Sequence, residues 1–547
     1  MNQTIQTNEH LSHNNPFEQL PWHGRQDQLT NQTDKIAALI NEFEKPLWAV
    51  KTASQVFLTD MDGFSGSGSG NHFQTERLAY APPMPLESLG DPTFMQTHGT
   101  RYPYYAGAMA NGISSVDMVI ALGRAGLMGS FGSAGLAPSR IEAAIHAIQQ
   151  ALPDGPYAIN LIHSPNEPNL ERNLAEMYLK LGVNVIEASA YMDLTYALAH
   201  FRVAGLSRTS DGTIKIGNKI IAKISRKEVA RKFMLPAPED LLRKLLADGK
   251  ITQEQAEMAR EVPMADDITV EADSGGHTDN RPLVGLIPTM LAVRDEVQAQ
   301  MNYPQAIRIG AGGGISTPAA ALAAFMMGAA YVVTGSVNQA CVESGASLHT
   351  RNLLAQADMA DVIMAPAADM FEMGVRVQVL KRGTMFAMRA SRLYELYSRY
   401  NSLEEIPTAD REKIENTIFR RNLDEVWEET QAFFRERDQK NLDLALKDPH
   451  HKLALIFRWY LGLSSRWSVV GEPGREMDYQ IWCGPAMGTF NQWVKGSLLE
   501  PVENRKVVDI AMQILKGAAY LARVRSLSNQ GITLASELQM YYPQRLR

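Results

Sequence analysis

The chain has 547 residues, and its 53 Lys and Arg against 60 Asp and Glu give a formal net charge of −7 with His neutral. A negative balance of this kind offers no basic field that would attract nucleic acid or an anionic membrane. Hydrophobic residues make up 45% and charged residues 21%, which is ordinary for a globular protein. Only two cysteines are present, so no disulfide framework can form. These figures exclude a secreted, disordered, collagen-like or disulfide-stapled protein.

The first 95 residues are the least regular part of the sequence. Their polar start, MNQTIQTNEHLSHNNP, lacks an apolar run and is not expected to be a signal peptide. Helical patterning is confined to residues 34–43, and the Gly/Ser tract at 63–70 is typical of a flexible linker. We therefore expect residues 1–95 to be an N-terminal extension with a Gly/Ser linker. No run in the chain is long and apolar enough to span a bilayer, so we expect a soluble, cytoplasmic protein without a membrane partner.

From about residue 102 to residue 338, short apolar runs alternate with helical patterns. The runs are YYAGAMA, LMGSFG, YAINLI, NVIEASA, KIIAKIS, ITVEAD, IRIGAG and YVVTGS. Nearly continuous apolar runs are typical of parallel strands that are buried on both faces. Eight strand–helix units predict an α/β fold, a (β/α)8 TIM barrel over residues 96–380. An open doubly wound sheet is the alternative, because strand number alone does not establish closure.

Local signals predict where several barrel helices begin. Ser139 and Ser225 each stand three residues before a Glu, a spacing that matches the capping box. Thr317 is followed by Pro318, which fits the first position of a helix because no backbone donor is lost there. We expect three helices to begin at these positions.

Two insertions interrupt the barrel pattern, and a helical region follows it. Residues 201–219 are predicted to form a β-hairpin with Asp211-Gly212 as a type I′ turn. Residues 232–263 are predicted to be a helical insertion. Residues 381–547 have helical patterning and contain five of the seven tryptophans. Because aromatic side chains favour burial, this C-terminal helical region is expected to be packed.

In a closed barrel, the active site lies where strands end and helices begin. Strand seven ends in Gly312-Gly313-Gly314, and strand eight ends in Thr334-Gly335-Ser336. The loops after these two strands form the recurring phosphate site of such barrels, where backbone N–H groups approach the anion. The alternative is that the glycines only make tight turns. The segment is not a dinucleotide fingerprint, because Ile315 stands where the third Gly would be needed.

The loop after strand six carries a second group of candidates, Gly275-Gly276-His277. A histidine can donate or accept a proton near neutral pH, which suits general acid–base catalysis. Asp273, Asp279 and Arg281 stand close to it in the sequence. The alternative is a histidine that only stabilises the loop. The spacing matches neither a zinc helix nor a P-loop, so we expect no metal.

The third group is spread over strands one, three and five. Gly107-Ala108-Met109 leaves room for a flat ring, and the amide of Asn160 can pair with a pyrimidine edge. Lys223 can stabilise negative charge on a reduced ring. His163 follows Asn160 closely and is a weaker candidate. Each residue also has a structural alternative: a packed glycine, a capping amide, a surface lysine.

Several motifs of the chain resemble one protein family. They are EADSGGHTDNRPL, GAMANGISS, YAINLIHSP, AKISRKEVARKFM and VVTGSVNQACVESGA. From about residue 89 to the C-terminus, the chain resembles the PfaD-type trans-acting enoyl reductases of bacterial polyunsaturated fatty acid synthases. A broader resemblance extends to trans-acting enoyl reductases of polyketide assembly lines and to nitronate monooxygenases, which are FMN-binding barrels.

The resemblance implies an FMN-containing reductase that uses NADPH to reduce trans-2-enoyl thioesters on acyl carrier protein domains of a synthase complex. His277 matches the active-site histidine of the family, and Lys223 is the second catalytic candidate. The residues implied to contact FMN are Gly107, Ala108, Met109, Asn160, Lys223, Gly275, Gly276, Gly312, Gly313, Gly314, Thr334, Gly335 and Ser336. A flavin oxidase similar to nitronate monooxygenase and a non-catalytic synthase scaffold are the alternatives. The sequence leaves the oligomeric state open, a homodimer included.

Overall fold

The computed structural model describes residues 5–7, 22, 25–53, 55–61, 75–164 and 168–544. The Gly/Ser tract at 63–70 lies outside these residues.

The N-terminal part contains a small antiparallel sheet that the sequence did not predict. The elements of the N-terminal part are β1 (Ile5–Thr7), α1 (Thr33–Asn41), β2 (Leu47–Thr52), β3 (Gln55–Thr59), β4 (Thr75–Ala81) and α2 (Pro92–His98), which leads into the barrel. β2 pairs with both β3 and β4. Leu58 and Ala79 are buried in one hydrophobic cluster with Val524 and Leu527 from the far end of the chain. This cluster attaches the small sheet to the C-terminal part.

The next part of the chain alternates strands and helices, as predicted. Its elements are β5 (Tyr104–Ala106), α3 (Val116–Arg124), β6 (Met128–Phe131), α4 (Pro138–Ala151), β7 (Ala158–Ile162), α5 (Pro168–Lys180), β8 (Val185–Ser189), α6 (Tyr196–Ala204), β9 (Leu206–Arg208), β10 (Ile214–Ile216), β11 (Lys219–Ile224), α7 (Lys227–Met234), α8 (Glu239–Ala247), α9 (Gln253–Met258), β12 (Asp267–Glu271), β13 (Gly276–His277), α10 (Leu283–Met301), β14 (Arg308–Gly312), α11 (Pro318–Met326), β15 (Val332–Thr334), α12 (Ser336–Gln339), α13 (Leu348–Ala355), β16 (Val362–Pro366) and β17 (Arg376–Leu380).

Eight of these strands close into a parallel barrel in the order β5, β6, β7, β8, β11, β12, β14 and β15. The pairing of β15 with β5 completes the ring. Ile159, Ile186 and Val270 are 0% exposed, because helices cover the outside of the barrel and side chains fill its interior. The (β/α)8 barrel is therefore confirmed, and the open sheet is excluded.

Of the predicted helix starts, one is confirmed and two are wrong. Thr317 caps α11, and Pro318 is its first residue, as expected. The capping boxes at Ser139 and Ser225 do not form, because α4 begins one residue before Ser139 and α7 begins two residues after Ser225. Proline at the first position of α4 favours the earlier start, since its φ is already helical. The Ser225 hydroxyl instead donates to Asp279 at 2.6 Å.

β9 and β10 form the predicted hairpin, but its turn is not type I′. That turn requires positive φ at both central residues, and of the pair Asp211-Gly212 only Gly212 has one, at +86°. Gly212 N donates to Thr209 O, and Thr209 N donates to Thr213 O. The connection is therefore a longer loop that ends in a left-handed glycine. α8 and α9 lie within the predicted helical insertion at 232–263.

The C-terminal part is helical, as predicted. Its elements are α14 (Phe386–Arg399), α15 (Thr408–Ile414), α16 (Leu423–Arg437), α17 (Gln439–Ala445), α18 (Pro449–Val470), α19 (Ala486–Val494), α20 (Val507–Asn529) and β18 (Ile532–Leu534), the last paired with β1. Val332 of the barrel, Leu461 and Ile514 belong to one cluster of buried side chains. The helices thus share a core with the barrel. Within the described part of the chain, no helix combines the length and the apolar character that a membrane span requires.

Candidate active site

The carboxyl ends of three adjacent barrel strands bring together three charged side chains. They are Glu187 on β8, Lys223 on β11 and Glu271 on β12. Lys223 Nζ lies 3.4 Å from Glu187 Oε1 and 3.3 Å from Glu271 Oε1. The side chain of Glu187 is 0% exposed, whereas those of Lys223 and Glu271 are 18% and 22% exposed. One cation is therefore shared by two carboxylates, and water reaches part of the group.

The two carboxylates decide the charge state of Lys223. Burial by itself lowers the pKa of a lysine, because the neutral amine is easier to remove from water. Glu271 and Glu187 outweigh this effect and raise the pKa of Lys223 above its ordinary value. The ammonium group therefore persists at neutral pH. A fixed cation at the strand ends can stabilise negative charge that develops on a bound group.

The segment after β5 has its backbone donors engaged within the protein. Gly107 N donates to Thr334 O at 3.0 Å, and Ala108 N donates to Glu187 Oε2 at 2.8 Å. Met109 N donates to a serine hydroxyl at 3.0 Å. These three residues consequently offer an apolar surface rather than N–H donors to a ligand. A flat ring can lie against such a surface, as the sequence predicts.

Asn160 lies within β7 and His163 comes directly after it, and each side chain is bonded to a neighbouring residue. Asn160 Nδ2 donates to Glu187 O at 3.0 Å and to Ser189 Oγ at 2.9 Å, so the side-chain oxygen is the group left to accept from a ligand. His163 Nδ1 lies 3.0 Å from Glu171 Oε2, and the His163 side chain is 24% exposed. These hydrogen bonds fix the positions of both side chains at this end of the barrel.

The glycine-rich loops after β14 and β15 leave open space at two positions. A Cβ atom placed on Gly314 or on Gly335 would meet no other atom within 4 Å. At Gly313 the same atom would lie 2.7 Å from the Ala272 carbonyl carbon, so only glycine fits there. Ser316 Oγ is buried nearby in the sequence and has no hydrogen-bond partner among the described residues. The open backbone at Gly314 and Gly335 suits an anionic group, whereas the hydroxyl of Ser316 is fully buried.

Two other residues of the predicted phosphate loops are occupied by barrel packing. Gly312 is buried within β14, where a Cβ would lie 3.1 Å from the Thr269 methyl group. The hydroxyl of Thr334 is hydrogen-bonded to the hydroxyl of Tyr104 and accepts from Asn338 Nδ2 at 2.8 Å. Gly312 and Thr334 therefore have only their backbones to offer to a ligand.

The C-terminal region reaches the strand ends through residues 480–484. Gly484 N donates to Ser336 Oγ at 3.1 Å, which joins this segment to the loop after β15. The segment also packs closely against the loop after β12, because a Cβ on Gly275 would lie 2.8 Å from Cys483 N. The absence of a side chain at Gly275 is what permits this close approach.

His277 lies in the loop after β12, on the short strand β13. This strand pairs antiparallel with β17, with Gly276 opposite Gln378 and His277 opposite Val377. His277 Nε2 lies 3.3 Å from Asp369 Oδ1, at ion-pair distance but without the alignment of a hydrogen bond. Burial lowers the pKa of the imidazole, but Asp369 more than compensates, so the pKa is raised. The side chain is 36% exposed and can be reached from solvent.

The opposite end of the barrel carries a different charged cluster. Asp267, the first residue of β12, accepts from Arg308 Nε at 2.6 Å and from Arg308 Nη2 at 2.9 Å. His98 Nε2 lies 2.7 Å from Asp267 Oδ2. Burial would raise the pKa of Asp267, but Arg308 and His98 lower it to about 2. None of these three side chains is more than 3% exposed, so the cluster is sealed from ligands.

Sequence reasoning missed four residues of the candidate site. Glu187 and Glu271 could have been found, because an acid within an apolar strand run is unusual. Asp369 and Gln378 had no such signal, since they lie far along the chain in an exposed connection and on a strand outside the barrel. Within the described residues, no group of three or more His, Cys, Asp or Glu side chains is arranged to hold a metal ion.

Two family models match adjacent parts of the chain. The model for nitronate monooxygenase matches residues 92–399. The model for the inserted helical domain of [acyl-carrier-protein] S-malonyltransferase matches residues 400–479. The first match coincides with the barrel and its additional strands, and the second with helices of the C-terminal region.

Curated relatives match most of this chain but only part of their own length. One polyunsaturated fatty acid synthase subunit, from a Thraustochytrium species, is 51% identical over 454 residues, which cover 82% of this chain and 30% of the relative. Polyketide biosynthesis protein PksE of Bacillus subtilis is 45% identical over 84% of this chain and 59% of the relative. The chain thus spans less than two thirds of either relative. The predicted resemblance to proteins of polyunsaturated fatty acid synthases is confirmed.

One solved structure matches the fold of this chain along the whole length of the solved domain. It is the enoyl reductase domain of MlnA from the macrolactin biosynthesis cluster of Bacillus amyloliquefaciens. The two chains are 38% identical with a TM-score of 0.78, and the match covers 81% of this chain and 100% of that domain.

Proposed function

This chain belongs to the nitronate monooxygenase family, and we propose that it is an FMN-dependent enoyl reductase that uses NADPH. Its substrates would be trans-2-enoyl thioesters carried on acyl carrier protein during polyunsaturated fatty acid synthesis. The observation that carries the proposal is the likeness to the MlnA enoyl reductase domain, which extends along all of that domain. The charged and glycine-rich groups at the strand ends support it.

The residues at the strand ends fit FMN. Open glycines at Gly314 and Gly335 suit a phosphate, because a backbone without a side chain lets an anion approach closely. The apolar segment after β5 suits a planar ring, and Lys223 supplies a cation for its polar edge. Gly313 and Ser336 are proposed to complete the phosphate site. Asn160 would accept a hydrogen bond from the ring through its side-chain oxygen.

The reaction would divide the work between cofactor and protein. FMN, when bound, would supply the two-electron chemistry that couples oxidation of NADPH to reduction of the enoyl thioester at its β-carbon. Lys223 is held protonated by Glu187 and Glu271, and it stabilises negative charge beside the ring throughout. The balance of the reaction then requires one proton at the α-carbon of the substrate.

His277 is proposed to supply that proton. Its Nε2 lies beside Asp369, so Nδ1 is the ring nitrogen that would be left to serve a substrate. Asp369 raises the pKa of the imidazole, which increases the protonated fraction near neutral pH. The same carboxylate orients the ring, as an acidic partner does for many catalytic histidines. The loss of this donor would leave hydride transfer without a matched proton source.

Acyl carrier protein domains of a polyunsaturated fatty acid synthase are the proposed partners. One named relative belongs to such a synthase, and the helical region that matches the malonyltransferase insertion packs against the barrel. Truncation after residue 390 does not test this role, because it would expose the core that the helices share with the barrel. The point at which a carrier domain docks is better mapped by cross-linking to the full chain.

The test is a visible absorption spectrum of the purified protein under anaerobic conditions. We expect a flavin band that is bleached by NADPH and that returns after addition of crotonyl thioester. His277→Ala should bleach at the normal rate and recover roughly 100-fold more slowly, because only proton donation is removed.

Other outcomes contradict the proposal in different ways. Recovery at the normal rate in His277→Ala would exclude His277 as the donor. A band that ignores the thioester, together with oxygen consumption on a nitroalkane, would indicate a nitronate monooxygenase. A protein without a flavin band, even after added FMN, would indicate a scaffold.

A further inference from the structure

One side chain from outside the barrel holds both sides of the loop that carries His277. Gln378 lies on β17 and is 5% exposed. Its Nε2 donates to Asp273 Oδ1 at 2.7 Å and to Ser274 O at 2.8 Å. Its Oε1 accepts from Asn280 Nδ2 at 3.1 Å. Both hydrogens of this buried amide are therefore used on the segment before His277, and its oxygen on the segment after it.

The loop is closed at the same place by its own hydrogen bonds. Asp273 N donates to Arg281 O at 3.0 Å, and Asn280 Nδ2 donates to Asp273 Oδ1 at 2.9 Å. Asn280 has a φ of +49°, a left-handed conformation that asparagine tolerates better than most residues. Asp273, Asn280 and Gln378 thus form the neck of the loop. His277 projects beyond this neck.

The strand that carries Gln378 also belongs to the unit that carries the ion partner of His277. β16 and β17 form an antiparallel pair, and Asp369 lies in the connection between them. The main chain of β17 pairs with β13, so His277 itself stands opposite Val377. The imidazole and the carboxylate of Asp369 are consequently placed by one hairpin, with Gln378 as its side-chain link to the loop.

We propose that Gln378 is a positioning residue that sets the place of the His277 imidazole relative to Asp369 and to the strand ends. The inference rests on the proposed function, in which His277 donates a proton. Without the amide, Asp273 Oδ1 loses one of its two donors and the Ser274 carbonyl loses its donor, so the neck keeps only the bonds of Asp273 to Asn280 and Arg281. Since β13 consists of two residues, one of them a glycine with φ of +82°, main-chain pairing alone holds His277 weakly.

The first test compares Gln378→Met with Gln513→Met in the full-length protein. Gln513 is also a buried glutamine, 1% exposed, and it accepts from Tyr541 and Gln544 in the C-terminal region. We expect Gln378→Met to lower kcat for crotonyl thioester roughly 10- to 100-fold with KM little changed, because a misplaced donor affects the chemical step. Gln513→Met should leave kcat within about twofold of the wild type.

The second readout is the titration of His277, followed by NMR of its ring and assigned with His277→Ala. In Gln378→Met the imidazole should move away from Asp369, so its pKa should fall toward the ordinary value of 6.5. Gln513→Met should not shift it. An unchanged His277 titration in Gln378→Met, or equal losses of kcat in the two variants, would overturn the inference. This titration requires no enoyl reduction, so failure of the proposed function is distinguishable from failure of the inference.

A second set of variants, which exchanges the amide at 378 and the carboxylate at 273, covers the case in which Gln378→Met does not fold. Gln378→Glu keeps the length of the side chain but places a carboxylate against Asp273, so kcat should fall. Combining Gln378→Glu with Asp273→Asn restores a donor and an acceptor between these two positions. The double variant should recover part of the lost kcat. Losses that are simply additive would contradict the positioning role.

Discussion

The two ends of the barrel use the same kinds of residue for different purposes. Where strands begin, Asp267 is bonded to Arg308 and to His98, and all three side chains are almost completely buried. Where strands end, Lys223 is shared by Glu187 and Glu271, and two of these three side chains are partly exposed. A sealed cluster can only stabilise the fold, whereas a partly exposed one can also act on a ligand.

The difference lies in whether each charged group is fully bonded within the protein or can still interact with a ligand. Both oxygens of Asp267 accept hydrogen bonds from Arg308, one of them also lies beside His98, and all three side chains are almost completely buried. Lys223 has no close partner beyond its two carboxylates in the described residues, and solvent reaches it. The barrel therefore separates stability from chemistry along its axis, as expected when active sites lie at the carboxyl ends of strands. The predictions below test this separation.

The largest effect is expected at the sealed end. Asp267→Asn removes the charge that balances Arg308 in a buried site, and such a loss costs roughly 3–5 kcal/mol. Urea unfolding followed by circular dichroism measures it. Asp193→Asn is the control, because its carboxylate is 70% exposed and solvent screens its ion pair with Lys232. A loss below about 1 kcal/mol in Asp267→Asn would mean that the cluster does not stabilise the fold.

At the open end, Lys223→Met should weaken ligand binding in addition to the stability that is lost when the buried Glu187 carboxylate loses its cation. A hydrogen bond to a charged group is worth roughly 1.5–3 kcal/mol, so FMN affinity should fall about 10- to 100-fold. Fluorescence titration of the apoprotein with FMN measures this change. Lys219→Met, at the other end of the same strand β11, should leave the FMN affinity unchanged. Equal affinities in the two variants would refute the proposed role of Lys223.

Acid should weaken the sealed end over a defined pH range. The pKa of Asp267 is lowered from 3.8 to about 2 in the folded protein, so its contribution is complete above about pH 4 and is lost as pH falls through 2. The difference corresponds to about 2 kcal/mol. Unfolding free energies measured between pH 5 and pH 2 should therefore fall more steeply in the wild type than in Asp267→Asn. Parallel curves would contradict the lowered pKa.

The smallest effect concerns the carboxylate beside His277. Asp369→Asn removes the charge that raises the imidazole pKa, and burial then lowers it below its present value. Because a raised histidine pKa stabilises the fold below the unfolded value and not above the folded one, the variant should lose stability only on the acidic side. The loss should stay under about 1 kcal/mol, since His277 is 36% exposed and solvent screens the pair.

The measurement for this variant is the NMR titration of His277. Asp295→Asn, a surface change on α10 where the carboxylate is 68% exposed, serves as the control. A titration that is the same in Asp369→Asn and in Asp295→Asn would show that Asp369 does not set the protonation of His277.

Much of the barrel was predictable because burial constrains local sequence. A parallel strand covered on both faces must be apolar, and all eight runs that met this condition are strands of the ring. The predicted capping boxes were wrong because a short motif takes no account of a competing signal, such as the proline that begins α4. The small sheet of β2, β3 and β4 escaped prediction because its strands are short and its partners lie at the other end of the chain.

The candidate site was predictable to the extent that its residues stand at strand ends. Lys223, His277 and the glycines of the last two loops could be named from position and residue type alone. Glu187 was overlooked as part of an apolar run. Gln378 could not be found at all, because the residue that it holds, Asp273, lies 105 positions away.

The sequence by itself determined the strands of the barrel, the order of the barrel units and the residue types at their ends, because each is a local consequence of burial or of backbone freedom. Only the tertiary structure decided that the barrel closes, that Lys223 meets two carboxylates, and that a hairpin outside the barrel holds His277. These features depend on contacts between distant segments. Such contacts form only when several elements bury their apolar faces together, so they cannot be predicted from the sequence of any single segment.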